Sequence, residues 1–378
     1  MIRPLHPLVY FRRNPARVAP LVFVIMLAVM LVACVVTIVD SIQLTIYTLY
    51  GYNRYLTGLT PRNALDIPSA QIERIRKLPQ LGALYPAHSY QVLIKTIFGK
   101  MPFPIFGLSP DGRRMLLERS HVRLIAGRMP REGQPEAAIS DDVAHNLKVP
   151  LGGVLANPNS LDDYAPVPIR LVGLLHGSVW LGITSKSEVD KTSPFSFVGY
   201  LAFAPNASPA AQRALDAAIE RVVDHTQVRV WRFADLVHET ESALSNLYLI
   251  LNLAIGIIVF AIAFVCGLLA NIYFSQRLPE IAMLAAIGYH RGFLLRRALG
   301  EVCLYCLCGW VLGGLLTIGT LWVIRAVFLA PKGLLLDIFD PTAFVFTLPL
   351  PITIALFALA TIAFRLASLD PVSIIERR

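Results

Sequence analysis

Six of the eight histidines, His88, His121, His145, His176, His225 and His238, lie in the polar middle of this chain. Two adjacent acid pairs, Asp141–Asp142 and Asp162–Asp163, accompany them. Histidine and carboxylate side chains can ligate a metal or pass protons near neutral pH. Their spacing here supports neither use. The sequence holds no HExxH zinc pair, no GxSxG nucleophile elbow and no phosphate loop of the GxxxxGKS/T form. Neighbouring residues point apart, so each Asp pair reads as a solvated loop. Asp141 and His145 fall four apart and share a face if that stretch is helical, but two ligands without a third do not make a metal site. Cys303, Cys306 and Cys308 (LYCLCGW) hold a CxxC spacing, yet they sit inside an apolar run with no second cysteine pair near them. Small-residue helix packing accounts for them. The region as a whole is not expected to be an enzyme, to hold a metal or to carry a cofactor.

The elements that hold these residues are set by hydropathy. Of 378 residues, 55% are hydrophobic and 16% charged, and the mean hydropathy is +0.59, far from the soluble norm. Four runs, at residues 18–39, 247–270, 299–328 and 343–364, reach the roughly 20 apolar residues that cross a hydrocarbon core. All five cysteines fall within them, so the middle region has no disulfide framework and stands on its core alone. LVAC at residues 31–34 matches a lipoprotein cleavage box, but VVTIV follows it. That apolar continuation marks an uncleaved span.

Charge sets the orientation. Arg3, Arg12, Arg13 and Arg17 precede the first run, and Arg277, Arg291, Arg296 and Arg297 lie between the second and third. By the positive-inside rule both segments are cytoplasmic, with the C-terminal tail, and the large region is outside. The net charge of +9 then reflects topology and anionic headgroups, and no nucleic-acid partner is expected. The expected architecture is an α-helical membrane protein of four transmembrane helices (one plus three) with a large extracytoplasmic α+β domain between helices one and two. Its parts are a cytoplasmic segment (1–17), spans at 18–40, 244–270, 299–328 and 343–365, the outer domain (41–243), a cytoplasmic loop (271–298), an outer loop (329–342) and a cytoplasmic tail (366–378).

Within the outer domain, IPSAQIERIRKL (67–78) has Ile72, Ile75 and Leu78 at helical spacing before Pro79. Strands are predicted at 90–98, 169–175, 197–203 and 228–233, and a helix at 205–223 with Ser208 as its N-cap and Pro209 first. A last helix is expected to run from Ala234 into the second span. The turn-rich stretch 127–177 suggests two lobes. Pro349 and Pro351 should kink the fourth span, and Gly309 with Gly313 forms a GxxxG spacing for close helix approach, within the chain or between copies.

The segment SQRLPEIAMLAAIGYHRGFLLRRALGE (275–301) reads as a short amphipathic helix framed by Pro279 and Gly288, with Ile281, Leu284 and Ile287 on one stripe. Glu280 complements the dipole at its start, Gly288 ends it through a left-handed turn, and Glu301 can pair with Arg297. An apolar stripe of this kind fits either a protein groove or a lipid surface.

These residues resemble the FtsX-like, or MacB-type, ABC transporter permeases (type VII). The family pattern is similar at Arg277, at Glu280-Ile281-Ala282, at Leu284 with Ala286-Ile287-Gly288, and at Glu301. The tail LDPVSIIERR resembles the family's closing motif at Asp370 and Pro371. GRMP at 127–130 and IRLVGL at 169–174 are similar to its outer-domain turn and strand. The outer domain is shorter than in efflux members, and Pro279 replaces an ordinary helix former.

The resemblance implies a MacB-like core domain outside the bacterial inner membrane. It also implies a coupling helix in which Arg277, Glu280, Ile281, Ala282, Leu284, Ile287, Gly288 and Glu301 engage a separate cytoplasmic ABC ATPase that binds the ATP. The implied partners further include a second permease copy or paralogue, membrane lipids and a periplasmic adaptor. Two uses of the driven motion (mechanotransmission) stay open: export or extraction of a lipid, lipoprotein, peptide or drug, and signalling to an outer partner without transport.

Overall fold

The computed structural model describes residues 13, 15–96, 99–160, 163–193 and 198–367. Asp162, Asp370, Pro371, Arg3 and Arg12 lie outside the described residues. The chain divides into a helical unit (Met1–Asp40, Asn246–Arg325 and Leu336–Arg378) and an α/β unit (Ser41–Ser245 and Ala326–Leu335).

Helix α1 (Pro15–Leu49) is 35 residues rich in Val, Leu, Ile and Ala. Near its end two threonines bond back to the helix: the Thr45 hydroxyl donates to the Ser41 carbonyl and the Thr48 hydroxyl to the Leu44 carbonyl, both at 2.8 Å.

The α/β unit follows in the order β1 (Thr57–Pro61), α2 (Ser69–Arg76), β2 (Ala83–Thr96), β3 (Gly99–Leu108), α3 (Pro110–Arg119), β4 (Arg123–Gly127) and β5 (Glu136–Ser140). Then come α4 (Asp141–Leu147), β6 (Val154–Ala156), β7 (Asp163–Tyr164), β8 (Ile169–His176), β9 (Gly182–Ser185), α5 (Lys186–Thr192), β10 (Gly199–Phe203), α6 (Pro209–Val222), β11 (Val228–Trp231) and α7 (Phe233–Ala243). Ser208 caps α6 as its type suggests, its hydroxyl accepting from the Ala211 N–H at 3.2 Å. The apolar face of α2 buries Ile72 and Ile75 with Leu215 and Ile219 of α6.

Instead of two lobes, the strands form one sheet in the order β11-β1-β10-β2-β3-β9-β5-β8-β4. Strand β2 makes this possible. Its start, Ala83–Ala87, pairs antiparallel with β10, and His88–Thr96 pairs antiparallel with β3. The β3–β9 and β5–β8 pairs are parallel, giving a mixed α/β sheet.

The Gly-Arg-x-Pro stretch is a tied loop. Gly127 has φ +75°, and a Cβ there would lie 2.2 Å from the Val172 carbonyl oxygen. Both terminal nitrogens of Arg128 donate to Glu136, one at 2.6 Å, and the Arg131 N–H adds a third bond at 3.0 Å. Arg113, nearly buried, donates to the Pro130 carbonyl at 2.8 Å and pairs with Glu132.

Foremost through the Arg128 bonds, the Glu136 carboxyl is held down at about 2, against an ordinary 4.5. A depressed carboxylate stabilises the fold fully above the ordinary value and loses that contribution as pH falls toward the depressed one. Glu136→Gln is expected to cost roughly 1–2 kcal/mol at neutral pH, given the partly exposed Arg128. The gap to wild type, followed by urea unfolding of the full chain, should close between about pH 5 and about pH 2. A gap independent of pH would remove the ion pair from the account.

Beyond Leu244 the chain returns to the helical unit with α8 (Ser245–Ala286), α9 (Arg291–Ile324), α10 (Pro341–Thr347) and α11 (Pro349–Ala367). Helix α7 ends before α8 begins, so the expected continuous helix from Ala234 is broken at Leu244. Among the described residues, three helices are long and apolar enough to cross a membrane, in α1, α8 and α9. The fourth apolar run is divided between α10 and α11 at Leu348, directly before Pro349. Asp340 starts α10, its carboxylate accepting from the Thr342 N–H at 2.9 Å. Helix α1 is central, 56% of its apolar window buried against 11% for α8.

Candidate functional site

The segment expected to be a separate short helix is the end of a long one. Helix α8 runs unbroken through Pro279 to Ala286, 42 residues in all. An interior proline removes one backbone hydrogen bond and crowds the preceding turn. Leucine, alanine and methionine on both sides sustain the helix across it. At 1.5 Å per residue α8 is about 63 Å long, roughly twice a hydrocarbon core. The span and the predicted coupling residues therefore share one rigid element. The expected loop 271–298 contracts to the turn 287–290, and α9 starts at Arg291, eight residues before the expected span.

That turn is built by glycine. Gly288 has φ +101° with open space where a Cβ would stand. The Tyr289 N–H donates back to the Leu284 carbonyl at 3.1 Å, which closes the helix in the Schellman manner. His290 then caps α9, its ring Nδ1 accepting from the Gly292 N–H at 3.1 Å.

An apolar tip results. Ile287 is 76% exposed, Met283 54%, Phe293 46% and Tyr289 38%, and the Tyr289 and Phe293 rings stack at 5.4 Å. Leu284 and Glu280 are half-buried. For Arg277, Ile281 and Ala282 only the helical backbone is described. Met283, Tyr289 and Phe293 were missed by the sequence reading. The spacing of Met283 and Ile287 (i, i+4) and of Tyr289 and Phe293 was the signal that marked them. Four such side chains offer about 1.5–3 kcal/mol each on full burial.

Below the tip, Glu301 is 1% exposed, with the Arg297 guanidinium 3.5 Å away one turn earlier. Gly309 and Gly313 both face α1: a Cβ on Gly309 would meet Ile25 at 2.6 Å, and one on Gly313 would meet Val29 at 2.7 Å. The GxxxG spacing thus packs within the chain. Contacts 25–309 and 29–313 climb together, so α1 and α9 run parallel. The start of α1 and the 287–290 turn consequently lie at the same end of the helical unit.

In the α/β unit, Asp141 pairs with His176 (3.1 Å), while the His145 ring hydrogen-bonds the Asp141 backbone carbonyl. His88 is nearly buried, 3.3 Å from Asp190, and burial pushes its pKa down. Among the described residues, no three His, Cys, Asp or Glu side chains converge as a metal site.

Residues 244–371, which contain the tip, Glu301 and both packing glycines, match the family model for the FtsX-like permease C-terminal region. This part of the chain is similar to the C-terminal region of FtsX-like permeases. The FtsX-like region thus spans α8 to α11 and holds each residue singled out for ATPase coupling. No curated protein matches the sequence. Among solved structures, the periplasmic region of MacB from Actinobacillus actinomycetemcomitans is similar at 10% identity and TM-score 0.31, covering 50% of this chain and 92% of that one. The extracellular domain of the ABC-type transporter YknZ from Gram-positive bacteria is similar at 10% identity and TM-score 0.31, covering 47% and 100%. A domain of a permease protein from Porphyromonas gingivalis is similar at 15% identity and TM-score 0.25, covering 47% and 89%.

Proposed function

We propose that this chain is the membrane subunit of an ABC transporter in the bacterial inner membrane, with its termini and the 287–290 turn in the cytoplasm and its α/β unit outside. Two copies, or one copy and a paralogue, work with a separate cytoplasmic ATPase that binds and hydrolyses ATP. The observation that carries this reading is the exposed apolar tip of Met283, Ile287, Tyr289 and Phe293 within an FtsX-like region. A hydrophobic groove on the ATPase receives the tip, and Glu280 and Arg277 fix its register through charge. Since α8 is continuous, a push on the tip moves the span as a rod. The α/β unit, joined to α1 and α8, then changes state through differential binding of nucleotide by the partner. The work done is export or extraction of a lipid, lipoprotein, peptide or drug.

The test is purification of the full chain from its native membranes with measurement of co-purifying ATP hydrolysis. Met283→Asp combined with Ile287→Asp is expected to reduce the retained activity at least tenfold, about 1.4 kcal/mol or more in docking. Equal activity with wild type and variant, or none with either, would sink the docking assignment.

A further inference from the structure

The α/β unit holds a cavity of about 470 Å³, inside the range of roughly 300–1,000 Å³ that small-molecule sites occupy. It opens on one face of the sheet. Strand side chains alternate, and the residues that pack the other face, Ala202 among them, belong to the core under α2 and α6. On the cavity side the centre of the sheet is made of small residues. Gly58 of β1, Gly199 of β10, and Ala87 and Ser89 of β2 all line it. Leu201 of β10, opposite Gly58, and Gln91 of β2, opposite Pro104, rise beside these small residues, so the floor is a trough between larger side chains.

The walls are apolar and held in place. Tyr52 and Leu56, both buried, stand on the connection that follows α1. Pro104 and Phe106 of β3 stand across from them on the sheet, and the Phe106 ring meets Tyr52 edge-on at 5.3 Å. At the β11 end Trp231 is fixed by its indole N–H, which donates to Thr60 Oγ1 at 2.8 Å.

The charge at that end has one sign. Arg62 and Arg229 line the cavity, and none of the residues lining it is acidic. Arg229 lies over Trp231, its guanidinium carbon 3.8 Å from the ring centroid. It also contacts Glu239 at 3.1 Å, a pair with both side chains well exposed. Exposed pairs of this sort hold weakly, so Arg229 can turn to an incoming anion at little cost. Arg62 is exposed at the rim.

We propose that this groove binds a single-chain anionic amphiphile, its acyl chain along the small-residue floor between Tyr52 and Pro104 and its carboxylate at Arg62 and Arg229. The assignment deepens the transport reading by naming a cargo class, and it rests on that reading for its use. Binding itself is measured without an ATPase, so the groove can fail while docking stands, and the reverse.

The experiment uses the full chain in phosphatidylcholine nanodiscs with two photoreactive probes, a diazirine palmitate and the matching diazirine hexadecanol. After illumination the labelled peptides are mapped. Palmitate is expected to label the Tyr52 and Pro104–Phe106 segments roughly tenfold more than the alcohol does, about 1.4 kcal/mol of preference. Arg62→Glu with Arg229→Glu should erase that preference. Ser89→Trp should fill the trough and remove groove labelling by both probes, while labelling of α8 and α9 stays constant and reports intact protein. Labels confined to the apolar helices, or equal groove labelling by acid and alcohol, would overturn the proposal. So would groove labelling that survives Ser89→Trp.

Discussion

Gly313→Leu is expected to collapse the yield of monodisperse protein and to destabilise what remains by about 3 kcal/mol or more, while Gly319→Leu on the same helix stays near neutral. A Cβ on Gly313 would lie 2.7 Å from Val29 Cβ and 2.8 Å from the Met26 carbonyl oxygen. The second contact is with backbone, so no rotamer change relieves it, and α1 must move off α9. Val18, Ile25, Val29 and Val32 would lose partners together, since α1 is central to the helical core. Around Gly319 nothing lies within 4 Å of the same position. Thermal unfolding and gel filtration in detergent give the comparison. Similar losses from both substitutions would mean that bulk on α9 matters, and the α1 contact does not.

Gly127→Ala should cost about 3–4 kcal/mol, against about 1 kcal/mol for Gly152→Ala. Both glycines adopt positive φ, +75° and +88°, so both substitutions carry the left-handed penalty that an L side chain incurs. They differ in space. A Cβ on Gly152 meets nothing within 4 Å, whereas one on Gly127 stands 2.2 Å from the Val172 carbonyl oxygen. That oxygen accepts the Arg128 N–H at 2.9 Å, so the clash falls on the bond that seats the Arg128–Glu136 pair. Urea unfolding of the full chain measures both. Equal costs would show that conformation alone is being read.

Much of this was legible in residue order. Val18 to Val39 could be little else than a buried apolar helix, and Ser208-Pro209 announced α6 because a hydroxyl and a fixed φ do local work. GxxxG predicted close approach, and Ile25 and Val29 supply the partner surface. What failed to read were properties of the assembled chain. Pro279 signals a helix start where flanking helix formers carry α8 straight through it. Pro102 and Pro104 argue against a strand, yet they fall in the stretch of β3 that β9 does not reach, where a missing N–H costs no ladder bond. The groove draws its walls from residues 50 to 236, and only the register of five strands makes Gly58, Ala87 and Gly199 into one floor. The apolar tip was half-visible: the glycine turn was read, but Met283, Tyr289 and Phe293 needed their exposure to stand out.

Strand β2 has a mechanical meaning. Fourteen residues at about 3.3 Å each make a ribbon of about 46 Å. One stretch is laced to β10 and the other to β3. Tension along that ribbon loads its ladders in shear, and many bonds must yield at once before either end slips. A hairpin pulled at its open end would unzip bond by bond at far lower load. The two halves of the sheet therefore share strain as one stiff plate, and a displacement entering at one edge arrives at the other with little lost to stretching between them.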